Sequence, residues 1–372
     1  MRHGMNIAFF GSSLVSAYWN GAATYYRGIV RALHERGHRV TFYEPDVLER
    51  QQHRDIDDPP WARVVVYSAD GTAGVRKALH DARHADLVIK ASGVGVFDEL
   101  LEAEVLEMQS ASRVAAFWDV DAPATLDRLA KHPNDPLRRW ISQYDLVLTY
   151  GGGAPVVNAY TELGAQRVVP IYNAHDADTH FPVPAKQRFA ADLGFLGNRL
   201  PDREARVDDY FFEAAQRCTE QSFSLGGSGW EGKMMPPNVR YVGHVYTRDH
   251  NAFNCSARVV LNINRESMAS YGFSPATRVF EACGAGACVL TDTFKGVEQF
   301  FEPGEEVLLA ENGRDVAQQL CELDPAVTAR IGQAARERAL AEHTYHHRAA
   351  LLEEVLDAAP GQSRPRIAQH TA

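Results

Sequence analysis

The chain has 372 residues, 45% of them hydrophobic and 23% charged, with a formal net charge of −10. That length exceeds one ordinary core and the composition is globular, so two domains are expected. The acidic balance argues against nucleic acid as the main partner. No stretch approaches the roughly eighteen consecutive apolar residues of a membrane span, and Met1–Asn6 lacks a signal-peptide pattern. A cytoplasmic protein with at most peripheral membrane contact is therefore expected. The cysteines, Cys218, Cys255, Cys283, Cys288 and Cys321, include no Cys-x-x-Cys and read as buried thiols.

Asn6–Phe10 reads as a buried strand ending at Gly11-Ser12-Ser13. Ala22–Glu35 follows as a helix with Tyr26, Ile29, Val30 and Leu33 on one stripe, and Arg39–Tyr43 is the next strand. No Gly-x-Gly-x-x-Gly follows the first strand, which removes the main support for a dinucleotide oxidoreductase. Strands are expected at Val64–Tyr67, Asp86–Lys90, Val114–Trp118, Asp145–Thr149 and Val168–Tyr172, with helices such as Thr72–Arg83 and Phe97–Gln109 between them. This alternation predicts a parallel α/β sheet covered on both faces, with ligands beyond the carboxyl ends of its strands. The loops Gly11–Asn20, Ala91–Val96, Asp119–Pro123 and Tyr150–Gly153 are then the candidate site segments. Asp119-Val120-Asp121 and Asp176-Ala177-Asp178 have the Asp-x-Asp form, but so short a motif matches by chance, and no metal site is expected.

Asn173–Pro184, rich in proline and short polar residues, reads as a linker. The alternation then restarts. Leu193–Leu196 is a strand, and Asp202 is expected to cap a helix Arg203–Cys218. Further strands are expected at Ser222–Leu225, Val239–Val242, Arg258–Ile263, Ala287–Thr291 and Glu306–Ala310, and helices at Val316–Leu323, Thr328–His343 and Tyr345–Leu356. The expected division is a domain over 1–175, a linker over 176–190, a second domain over 191–343, a last helix over 344–358 and a disordered tail over 359–372.

Tyr271–Asp292 carries the most specific pattern. Ser274 is a good N-cap and Pro275 suits the first helical position. Ala276, Val279, Phe280 and Cys283 form one apolar face, with Thr277, Glu281 and Gly284 on the other; Gly284 or Gly286 ends the helix. Free N–H groups at such a helix start can hold a phosphate. Glu281 stands about 9 Å further along the axis, where its carboxylate can accept hydrogen bonds from the sugar hydroxyls of a nucleotide. The competing reading of the same spacing is a plain amphipathic helix with a solvated glutamate.

This segment resembles the donor-binding signature of GT-B glycosyltransferases of the group 1 family. The Arg278-Val279-Phe280-Glu281-Ala282 run is most similar to the spore-maturation-protein-like branch. The resemblance implies an α/β fold of two Rossmann-like, doubly wound domains facing each other across a cleft. The N-terminal domain would bind the acceptor and the C-terminal domain a nucleotide sugar, with the final helix crossing back to the first domain. In the wider family two glutamates flank a Gly-Leu pair. Glu281 matches the second glutamate, which binds the ribose; Ala276-Thr277 take the phosphate-binding Gly-Leu place, between Ser274 and Arg278; Phe273 stands where the first glutamate would be.

Further matches are Gly197, Asn198, Arg199 and Arg203 at a turn that holds the pyrophosphate, and Gly243-His244-Val245 at the base-binding loop. Asn20-Gly21 resembles a glycine-rich acceptor turn loosely. Plainer readings stand beside these: surface salt bridges for the arginines, turn positions for Gly21 and His244. Asp119, Asp121 and Arg199 are the expected catalytic residues. The implied activity is metal-independent transfer, with retention, of a sugar from a nucleotide-diphosphate donor to a small-molecule, glycan or protein acceptor. The donor is a co-substrate, and no cofactor is expected. A GT-B-fold nucleotide-sugar epimerase and a non-catalytic two-lobed sugar-binding protein are the alternatives.

Overall fold

Residues 4–358 are described by the structure, a computed structural model; the expected tail over 359–372 lies outside them. The first half builds a parallel sheet from β1 (Asn6–Phe10), β2 (Arg39–Asp46), β3 (Arg63–Ser68), β4 (Leu87–Ala91), β5 (Val114–Asp119), β6 (Leu146–Thr149) and β7 (Val168–Pro170). Its order is β3-β2-β1-β4-β5-β6-β7. The second half repeats the plan with β8 (Ala191–Leu196), β9 (Phe223–Gly226), β10 (Val239–Gly243), β11 (Ala257–Asn262), β12 (Val289–Asp292) and β13 (Leu308–Ala310), ordered β10-β9-β8-β11-β12-β13. The central strands are buried on both faces: β4 is buried at every position, because helices cover both sides of the sheet, and its one charged residue, Lys90, is paired with Asp98 and Glu102. Strand order reverses between β1 and β4 and again between β8 and β11, which opens a crevice at the carboxyl end of each sheet.

Several elements differ from the sequence expectations for identifiable reasons. The helix expected over Arg203–Cys218 is broken into Glu204–Val207, a π turn Asp208–Phe212 and Glu213–Arg217. The wider turn lets three successive aromatic residues, Tyr210, Phe211 and Phe212, all bury. Asp202 does not cap this helix; its carboxylate pairs with Arg265 instead. Cys321 is exposed rather than buried, and its Sγ stands 3.3 Å from that of buried Cys218.

The C-terminal helix Tyr345–Asp357 returns to the first domain. Tyr345, Ala349, Leu352, Val355 and Leu356 share one core with Tyr25, Ile29 and Leu33 of the helix Ala23–Glu35. Gly28 makes the approach possible: a Cβ there would lie 2.1 Å from the Tyr345 ring. Arg348 binds the carbonyls of Tyr172 (3.2 Å) and Asn173 (3.3 Å), fixing the start of the linker.

Candidate active site

The cleft lies between the carboxyl ends of the two sheets. From the second domain it receives the segment leading into the helix Thr277–Gly284. This helix begins two residues later than the sequence suggests. Ala276 is the N-cap, while Ser274 and Pro275 lie in an extended lead-in. The first domain imposes that geometry. Asn173 donates to the Pro275 carbonyl (3.3 Å) and accepts from Thr277 Oγ1 (2.8 Å), and Gly152 N–H donates to the Phe273 carbonyl (2.9 Å). Gly151 is required here, since a Cβ would meet Ser274 Oγ at 2.6 Å. Among the described residues nothing accepts from the backbone N–H groups of Ala276, Thr277 and Arg278.

Two guanidinium groups accompany those amides. Arg203 lies over the Phe195 ring, donates to the Asn198 carbonyl at 2.6 Å, and keeps a buried Nε without a partner. Burial, and then the neighbouring Arg278, push its pKa down to about 10. Arg278 is half-buried and has no ion-pair or hydrogen-bond partner among the described residues. Its pKa too is lowered by burial, with Glu281 opposing. Two desolvated cations that repel each other, with donors unspent, are electrostatically prepared for an anion.

Arg199 does not share this position. It is paired with Glu204 at 2.6 Å, and Glu204 also takes Lys233 at 3.0 Å. The arginine expected to do most is thus engaged in a partly exposed salt-bridge network. Gly197 and Asn198 build the turn: the Gly197 carbonyl accepts from Trp230 Nε1 (2.7 Å), and Asn198 Oδ1 accepts from Ser228 N–H (3.0 Å).

Glu281 is 8% exposed and faces the linker side of the cleft. His180 Nε2 stands 3.7 Å from its Oε1, and His250 completes a trio whose ligand atoms lie within 4.8 Å of one another. Burial raises the Glu281 pKa, but His180, His250 and Arg278 outweigh it and hold the carboxyl below its ordinary value. Burial pushes His250 down to about 4. The base-loop candidates lie next to this trio. The Val245 carbonyl faces His250 Nε2 at 3.3 Å, the Gly243 carbonyl accepts from Gly227 N–H (2.9 Å), and His244 Nδ1 stands 3.1 Å from Ser228 Oγ.

The first domain contributes less than its motifs suggested. Asp119 is fully buried and accepts from Ser92 Oγ (2.7 Å), Thr125 Oγ1 (3.0 Å), Asp121 N–H (3.0 Å) and the Tyr160 hydroxyl. Its lone pairs are spent on bracing the loop after β5, and burial raises its pKa. Asp121 does reach the cleft, where Arg265 of the second domain holds it at 3.0 Å. Asn20 is buried, its side chain bonded to Ser12, Ser13 and Ser16, so it shapes the loop after β1 rather than offering an amide to a ligand. Gly21 is exposed, with nothing close enough to demand a glycine. His180, His250 and Arg265 were not singled out by motif. The two histidines lie in segments with no periodic pattern, and only the folded linker brings them to Glu281.

These facing sheets have the GT-B architecture. Residues 203–354 match the family model described as glycosyl transferase-like. Similar solved structures include Anabaena HepE in complex with UDP and glucose, at 14% identity and a TM-score of 0.65 over 95% of this chain and 99% of that one. Sucrose-phosphate synthase from Thermosynechococcus elongatus aligns at 14% identity and a TM-score of 0.66, covering 95% and 98%. An alpha-glucosyltransferase in complex with UDP-glucose and DNA containing an abasic site aligns at 12% identity and a TM-score of 0.67, covering 95% and 100%. No curated protein matches the chain.

Proposed function

We propose that this chain moves a sugar from a uridine-diphosphate donor to an acceptor held by the first domain, without a catalytic metal and with retention. The observation that carries the proposal is the pair Arg203 and Arg278, unneutralised beside three free amides, with Glu281 one turn deeper. The amides and guanidinium groups bind the diphosphate and stabilise it as it leaves, so the fixed donors do the work a divalent ion would otherwise do. Glu281 accepts from the ribose hydroxyls, and the backbone of Gly243–Val245 borders the base. Ser274 and Thr277 shape the loop below the phosphates.

Retention is favoured because the first domain offers little base. Asp119 is fully hydrogen-bonded and Asp121 is engaged in an ion pair with Arg265. The departing phosphate then takes the acceptor's proton. Uridine is chosen because the HepE and alpha-glucosyltransferase structures named above contain UDP or UDP-glucose. The net charge of −10 favours an acceptor other than nucleic acid. Among the described residues no helix is long and apolar enough to cross a membrane, and a cytoplasmic site of action is part of the proposal.

A thermal-shift panel of UDP, GDP, dTDP, ADP and CDP tests the donor class. UDP should raise the melting temperature most, and no shift with any diphosphate would reject the reading. Activity should persist in full in EDTA. The histidines beside Glu281 favour the epimerase as the second reading. A UDP-sugar incubated without acceptor decides between them, since an epimerase forms an isomer and a transferase at most hydrolyses the donor slowly.

A further inference from the structure

Sugar transfer leaves the imidazoles around Glu281 unexplained. His180 comes from the linker, His250 from the start of the helix His250–Ser256, and Glu281 from the helix Thr277–Gly284. Each offers one ligand atom, all within 4.8 Å. One nitrogen of each imidazole already has a protein partner: His180 Nδ1 stands 2.9 Å from Thr179 Oγ1, and His250 Nε2 stands 3.3 Å from the Val245 carbonyl. The Val245 carbonyl can only accept, so His250 Nε2 donates and its Nδ1 keeps a lone pair; the Thr179 hydroxyl can accept from His180 Nδ1 in the same way, which is how histidines are held around metals. A third buried imidazole packs against the same helix. His175 is 1% exposed, its Nδ1 has no hydrogen-bond partner, and its ring lies against Gly284, one turn beyond Glu281 on that helix.

We propose that His180, His250 and Glu281 form a binding site for a divalent transition-metal ion such as zinc, and that the ion and the nucleotide occupy it in alternation. The donor set decides the class. Two imidazoles and a carboxylate suit zinc, cobalt or nickel, whereas magnesium and calcium prefer all-oxygen sites. Three protein ligands leave a fourth position for water. Ligand atoms on one zinc ion stand about 3.3 Å apart, so the trio closes on the ion by small side-chain rotations. The alternation rests on the proposed ribose role of Glu281, because one carboxylate cannot hold both. Free zinc would then inhibit transfer, and a chelator would relieve the inhibition.

The test titrates the full chain, stripped with EDTA and desalted, with Co2+ read by visible absorption and with Zn2+ read by calorimetry. One ion per chain is expected, with affinity falling at least about tenfold in His180→Ala and in His250→Ala and unchanged in His346→Ala, a substitution at the surface. Should either cleft variant fail to fold, Thr179→Val removes the partner of His180, together with a long hydrogen bond to the Asp176 carbonyl, and should weaken binding several-fold. Absence of binding in the wild type, or binding unaltered by all of these cleft substitutions, overturns the site. UDP affinity measured at buffered free Zn2+ should fall in the wild type and not in His180→Ala; indifference to zinc overturns the alternation. Failure of UDP to bind the metal-free chain would instead sink the ribose role of Glu281, and the Co2+ titration would still judge the metal site on its own.

Discussion

Arg265, on the loop after β11, holds Asp121, on the loop after β5, across the cleft at 3.0 Å, and the same guanidinium binds Asp202 of its own domain. Each side chain is about a third exposed, at 34% and 37%, so the pair contributes at most about 1 kcal/mol to stability. Its effect is on how the domains meet. Asp121→Asn should leave the melting temperature and UDP affinity nearly unchanged while lowering turnover about tenfold. A variant with wild-type turnover would show that this link does not set how the domains meet for transfer.

The diphosphate proposal separates three arginines. Arg203→Ala and Arg278→Ala should each weaken UDP binding by about 10- to 100-fold, the worth of charge-assisted hydrogen bonds in a desolvated site. Arg199→Ala, which breaks only the exposed pair with Glu204, should change it by less than about threefold. Glu281→Ala should cost about tenfold with the fold intact. Calorimetry on the four variants gives the order, and an Arg199 effect larger than both others would reverse the assignment.

Gly284 is a packing requirement. A Cβ there would fall 2.0 Å from the His175 ring, which is itself buried at 1% exposure. Gly284→Ala should therefore cost about 1–3 kcal/mol, or roughly 5 °C in melting temperature. The double variant with His175→Ala should lose less than the sum of the singles; strict additivity would show that the two do not meet.

Stability should fall with acid before the carboxylates titrate. His343 is buried, with Nε2 against the Phe300 carbonyl (2.8 Å) and Nδ1 facing Arg348 Nη2 (3.0 Å), which only the neutral ring can accept. Burial, then Arg348, push its pKa from 6.5 down to about 3. The unfolded chain takes up a proton below about pH 6.5 and the folded one does not, so stability is complete above that pH and is lost below it. His343 alone should cost on the order of 2 kcal/mol between pH 6.5 and 5, and His175, lowered to about 4, adds to it. His343→Gln should flatten the melting-temperature profile over that window, and a wild-type profile already flat there would contradict this account.

The doubled α/β plan was legible because its strands are short apolar runs between turn residues, a signal carried locally. So was the helix that bears Glu281. Its start was not, because Asn173, distant in sequence, fixes the backbone at Pro275 and Thr277. The arginines could not be ranked from spacing: what engages Arg199 is Glu204, and what leaves Arg278 available is the lack of any such partner among the described residues. Asp119 follows the same logic. An Asp-x-Asp looks alike whether its first carboxylate faces solvent or four buried donors.

The helix Tyr345–Asp357 carries a consequence for biosynthesis. Its side chains fill part of the core built around the helix Ala23–Glu35, so the first domain is incomplete while the ribosome is still making the second. The usual order, in which an N-terminal unit finishes before its successor emerges, would leave this core unfinished. Until residue 356 has left the exit tunnel, the groove over Gly28 stays uncovered, and a nascent chain arrested earlier should call on chaperones at that face.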